Sequence, residues 1–145
     1  MVDDNFPILA ELNALFPLSV VAVSPYFGTF VCIDLLDAYK NPVRVRIYLT
    51  DWMLKEGGLT LTTCYSSPDE WQGAFAALAG TNLTELAWID QQRLQLIFES
   101  GKMFILDANF EQYERADHLV TIYAPDRFNV VYSPELGFEK ELLAM

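Results

Sequence analysis

Val43, Val45, Ile47 and Leu49 alternate with Arg44, Arg46 and Tyr48. A period of two over this length predicts a strand with one apolar and one wet face. Phe30–Leu36 precedes it as an apolar, β-rich run broken by a single charge, Asp34. Residues 37–42, with Lys40, Asn41 and Pro42, read as a turn that makes the two runs an antiparallel hairpin. In such a hairpin Asp34 either faces water or meets Arg44 or Arg46 across the strands, and the cross-strand pair is the expectation. Residues 59–65 alternate Leu, Thr and Cys after Gly57 and Gly58 and predict another strand.

Helical spacing occurs twice. Ile8, Leu9, Leu12, Leu15 and Phe16 recur at intervals of three and four, with Asn5 as a cap, Phe6 and Pro7 as the opening and Pro17 as the stop. Ser67, Pro68, Asp69 and Glu70 then form a capping-box signature with proline at the first helical position. Trp71, Phe75 and Leu78 fall on one face of that helix, and Gly80 ends it. The second half reads as a meander, with strands at 83–89, Arg93–Phe98 and 103–106 and turns at 90–92 and 99–102. Further strands are expected at 119–123 and 128–132. Pro134 and Glu135 suggest a short terminal helix with Leu136, Leu142 and Leu143 as its apolar side. Together these elements predict one domain over residues 1–145, of α+β class: an antiparallel sheet, flat or strongly curved, packed against two or three helices.

Composition sharpens this picture. The 145 residues are 52% hydrophobic, which separates the chain from disordered acidic sequences. Twenty acidic against nine basic side chains give a net charge of −11. Such a surface repels phosphate backbones and anionic membranes, and it speeds encounter with a cationic protein. Asp3 and Asp4 stand where a signal peptide carries Lys or Arg. The apolar run at 15–23 is interrupted by Pro17 and Ser19 and is too short for a bilayer. A cytoplasmic protein is the expectation, with Cys32 and Cys64 as buried free thiols.

Candidate chemistry is sparse. His118 is the one histidine, and it follows Asp117 at the start of a strand, where a surface role outweighs a catalytic one. No serine lies in Gly-x-Ser-x-Gly, and no glycine-rich phosphate loop is present. Asp107, Glu111, Glu114 and Asp117 are spaced suggestively for a hard cation, but no Asp-x-Asp-x-Asp-Gly loop accompanies them, so neither a metal nor another cofactor is expected. Asp34 with Asp37, Asp69 with Glu70, and Glu111 with Glu114 leave acid–base chemistry open. Asp69 and Glu70 already serve a helix N-terminus. Tyr113, Tyr123 and Tyr132 sit among acids in the last third, where tyrosines roof a core or anchor an interface.

Leu78, Gly80, Leu94, Leu96, Phe98, Gly101, Leu106, Tyr113 and Glu114 give the stretch 78–114 a cadence of Leu-x-Gly, strand, Leu-x-Leu-x-Phe-x-x-Gly, strand, Tyr-Glu. This resembles small acidic bacterial immunity proteins of toxin–immunity systems, including those of contact-dependent growth inhibition. The resemblance implies a stoichiometric partner: a toxin domain, often a basic nuclease, neutralised by an acidic cover. It carries over no defined binding residues. The expectation is therefore a non-enzymatic, cytoplasmic protein-binding domain that contacts a basic toxin through Asp107, Glu111, Tyr113, Glu114 and Asp117. Two other classes stay open: a small-molecule-binding or enzymatic domain built on a carboxylate pair, and a structural or adaptor subunit.

Overall fold

The computed structural model describes residues 2–124 and 128–141. In chain order the elements are α1 (Val2–Asn13), β1 (Leu18–Phe27), β2 (Phe30–Leu36), β3 (Pro42–Ile47), β4 (Asp51–Glu56), β5 (Leu59–Thr63), α2 (Pro68–Ala76), β6 (Asn82–Trp88), β7 (Arg93–Phe98), β8 (Lys102–Asp107), β9 (Val120–Ala124), β10 (Phe128–Ser133) and β11 (Gly137–Glu141). The strands form one open, antiparallel sheet in the order β11-β10-β9-β3-β2-β1-β6-β7-β8-β4-β5. Among the described residues the fold is thus mostly sheet, with two short helices.

The sheet is pinched in the middle. β1 and β6 pair only at Leu18–Leu83 and Ser19–Asn82. On one side of this junction lies a β1 wing of β11, β10, β9, β3, β2 and β1. On the other lies a β6 wing of β6, β7, β8, β4 and β5. The wings do not follow the halves of the chain, since β4 and β5 join the later strands and β9 to β11 join the earlier ones. Beyond the junction Asn13, at the end of α1, takes the place of a neighbouring strand on β6. Its amide nitrogen donates to the carbonyl of Leu86 at 3.0 Å, and its side-chain oxygen accepts from the Leu86 N–H at 3.0 Å. Both backbone groups of a fully buried residue are thereby satisfied.

One core spans both wings. Val31, Ile33, Leu35, Val43, Val45 and Ile47 supply the β1 wing, and Leu54, Leu86, Leu94, Leu96, Phe98 and Phe104 supply the β6 wing. Trp52 sits where they meet. Its ring lies 5.4 Å from Trp71, 5.6 Å from Phe75 and 5.7 Å from Phe104, and its indole N–H donates to the Thr29 carbonyl at 2.8 Å. Tyr132 makes a second tie. Its hydroxyl donates to the Gln91 carbonyl at 2.8 Å and accepts from the Trp88 indole at 3.0 Å. Tyr132 therefore belongs to the core.

Several expectations are corrected. α1 opens at Val2, so Asn5 and Pro7 lie inside it. The run at 15–23 is divided: α1 stops at Asn13 and β1 begins at Leu18. Asp51–Glu56 was not foreseen as a strand; it forms a hairpin with β5, and Gly57 takes a left-handed φ of 59° at the turn. α2 begins at Pro68 as expected, but the Ser67 hydroxyl makes no capping bond. Backbone bonds from Glu70 and Trp71 to the Ser67 carbonyl close its first turn instead. Among the described residues no helix follows Pro134. Residues 134–136 make a hairpin turn, with the Ser133 hydroxyl accepting from the Leu136 N–H at 3.2 Å and Gly137 at φ 73°, and β11 continues the sheet. Leu142 and Leu143 lie outside the described residues.

Candidate functional site

Asp51 opens β4 and Asp107 closes β8, and the antiparallel register sets them directly opposite one another. Trp52, Leu54, Phe104 and Leu106 occupy the buried face of these strands, so period two turns Asp51, Met53, Ile105 and Asp107 outward. Thr50, fully buried, locks the corner by donating its hydroxyl to the Asp107 carbonyl at 2.8 Å. Two like charges across a ladder repel. Here each is held by neutral donors. Asp51 accepts from the Tyr65 hydroxyl and from the Asn109 amide, both at 2.8 Å. Asp107 accepts from the Gln92 amide at 2.7 Å and from the Asn109 backbone N–H at 3.1 Å.

Arg93 faces Asp107 across the β7–β8 ladder, but its guanidinium closes on Asp90 at 2.8 Å. Their mutual hydrogen bond holds the Asp90 carboxyl below its ordinary range and raises Arg93. Neither Asp51 nor Asp107 is in an ion pair among the described residues. These side chains line a cleft of about 400 Å³, walled by Tyr65, Met53, Ile105 and Cys64.

Tyr65 stands at the mouth, 70% exposed. Its single proton lies between Asp51 at 2.8 Å and the Gln112 side-chain oxygen at 3.0 Å. The bond to Asp51 pushes its phenol up to about 12. Burial raises the Cys64 thiol, and both cysteines are buried and free. Burial likewise raises the half-buried Tyr113, with the charge of Asp51 adding to it.

The five residues expected from the sequence separate into three roles. Asp107 forms the cleft, and Tyr113 lies close enough to feel Asp51. Asp117 is spent inside its own loop, where its carboxylate accepts from the Glu114 N–H at 2.9 Å. Glu111 and Glu114 are exposed on the segment between β8 and β9. That segment is fastened by the Arg115 guanidinium 4.3 Å over the Phe110 ring and by a bond from the Glu135 N–H to the Arg115 carbonyl at 2.9 Å.

Asp51, Tyr65, Gln92 and Asn109 escaped the sequence reading. The signal for Asp51 was present in the alternation of Trp52 and Leu54 with Met53 and Lys55. His118 is exposed and lines a different cleft with Phe30, Tyr48 and Tyr123. Among the described residues, no three His, Cys, Asp or Glu side chains are arranged to hold a metal ion. Among the described residues no helix is long and apolar enough to cross a membrane. The site therefore offers fixed negative charge beside an aromatic ring and apolar walls. No family model, curated protein or solved structure matches the chain.

Proposed function

We propose that this chain is a non-enzymatic protein-binding domain that neutralises a basic protein toxin, such as a nuclease, by covering its active surface. The observation that carries the reading is the juxtaposition of two opposed carboxylates, Asp51 and Asp107, held by neutral donors, with the exposed Glu111 and Glu114 on the next segment. A lysine or arginine of the partner fits this arrangement by relieving the repulsion between the two aspartates. Tyr65, held upright by Asp51, is a rigid aromatic anchor of the kind that dominates interface energies. The net charge of −11 accelerates encounter with a basic protein and demands no chemistry of the domain.

Affinity capture with the tagged chain from the cells that make it, at low and high salt, tests this reading. The expected result is one basic protein in equal amount, whose toxic activity is lost on equimolar mixing. A captured protein whose activity persists in the stoichiometric complex would contradict it.

A further inference from the structure

The outer face of the β1 wing carries a second concavity, of about 660 Å³. That volume lies within the range of small-molecule sites, roughly 300–1,000 Å³. Period two on β3 sends Arg44 and Arg46 to this face, about 6.6 Å apart along the strand and away from the buried Val43, Val45 and Ile47. Two of the nine basic residues of a strongly acidic chain thus line a single cavity.

Each arginine is held in place. Asp34, directly opposite on β2, accepts from the Arg44 Nε at 2.8 Å. That bond engages only the inner nitrogen and leaves the two terminal nitrogens of Arg44 unspent among the described residues. The Arg46 guanidinium lies 5.5 Å from the centre of the Tyr123 ring, and the Tyr123 hydroxyl meets that of Tyr48 at 3.1 Å. The remaining wall is apolar. Val21, set at the bulge between Val20 and Ala22 and 53% exposed, joins Leu36 there.

We infer that this cavity is a binding site for a small organic monocarboxylate with an apolar body, its carboxylate on the Arg44 fork and its body against Val21, Leu36 and Tyr123. The chemistry sets the class. A planar guanidinium fork matches a carboxylate in two parallel hydrogen bonds. One fork with its two terminal nitrogens open, beside Asp34, suits a single carboxylate. A dianion such as phosphate would meet Asp34 and the field of the whole chain. The site lies on the other wing from the toxin-binding face proposed above and does not depend on it.

The test is a nuclear magnetic resonance titration of the full chain with 3-phenylpropionate, alongside its neutral amide 3-phenylpropionamide and inorganic phosphate. The acid is expected to give saturable shifts at Val21, Tyr123 and the Arg44 Nε–H. The amide and the Arg44→Gln variant should each bind about tenfold more weakly, the loss of one charge-assisted pair. The pair with Asp34 is largely exposed, so Arg44→Gln folds; Val21→Asp, which sets a carboxylate at the mouth, should weaken binding without touching either arginine. Absence of saturable shifts, equal binding of acid and amide, or full affinity in both variants would overturn the site. Tighter binding of phosphate than of the acid would overturn the ligand class.

Discussion

Each wing places an aspartate on its outer face, directly across a ladder from another charge. On the β1 wing the partner of Asp34 is Arg44, and the two close to 2.8 Å. On the β6 wing the partner of Asp51 is another aspartate, Asp107. The geometry is the same and the electrostatics are opposite. The first pair attracts, through the inner nitrogen of Arg44 alone. The second keeps two negative charges in place through amides and a phenol, while Arg93, opposite Asp107 on β7, closes on Asp90 instead. The sign of each pair is thus set by what stands opposite the aspartate, not by the aspartate itself.

One buried core across both wings implies that they unfold as a single unit. Trp52→Ala tests this most severely, because Trp52 packs against Trp71, Phe75 and Phe104 while bonding to Thr29 between β1 and β2. A loss of about 3–5 kcal/mol is expected, in a single denaturant transition followed by both far-ultraviolet circular dichroism and tryptophan fluorescence. Two separate transitions would show independent wings.

Asn13→Ala removes the amide that stands in for a strand where the wings part. Two buried backbone groups of Leu86 would lose their partners, for an expected cost of about 2–4 kcal/mol in total. Chemical denaturation measures it, and Asn13→Asp, which keeps only an acceptor, should rescue little.

Smaller effects carry the sign of the comparison. Asp107→Asn keeps an oxygen for Gln92 and for the Asn109 N–H while cancelling the like-charge pair, and it should stabilise the fold by about 0.2–1 kcal/mol. Asp34→Asn breaks an attractive but largely exposed pair and should destabilise by no more than about 0.5 kcal/mol. Thermal melts of both variants that shift in the same direction would contradict the opposite signs of the two pairs.

The smallest effect is a titration. A raised phenol pKa contributes stability that is fully present below the unfolded value, near 10, and is lost as pH rises through about 12 for Tyr65. The cause is the bond to Asp51, so Asp51→Asn should return the Tyr65 titration toward the ordinary tyrosine value. Resonance-resolved alkaline titration reads it directly.

Much of this architecture is legible in local pattern. Phe30–Leu36 and Arg93–Phe98 end where their runs of β-formers end, and the Asp34–Arg44 pair follows from one hairpin. Pro68 marks the start of α2 even though the Ser67 side chain does no capping. What local pattern cannot supply is partnership between distant strands. Period two tells which way Asp107 points, but the register of β4 on β8 brings Asp51 to it, and the turn after β5 brings Tyr65. β1 was hidden because its apolar residues run on from those of α1, and β11 because Pro134 and Glu135 also suit a helix start. Within the candidate face, Glu111 and Glu114 were readable as exposed acids, whereas the service of Asp117 to its own loop depends on a turn that spacing does not reveal.

The acidic face is tested most directly by the affinity of the captured basic protein for the wild-type chain and for the Glu111→Lys/Glu114→Lys double variant, with the fold of both confirmed by circular dichroism. On the order of tenfold weaker binding is expected, chiefly through slower association, with a shallower dependence on salt. Unchanged affinity and salt dependence in a folded variant would contradict it.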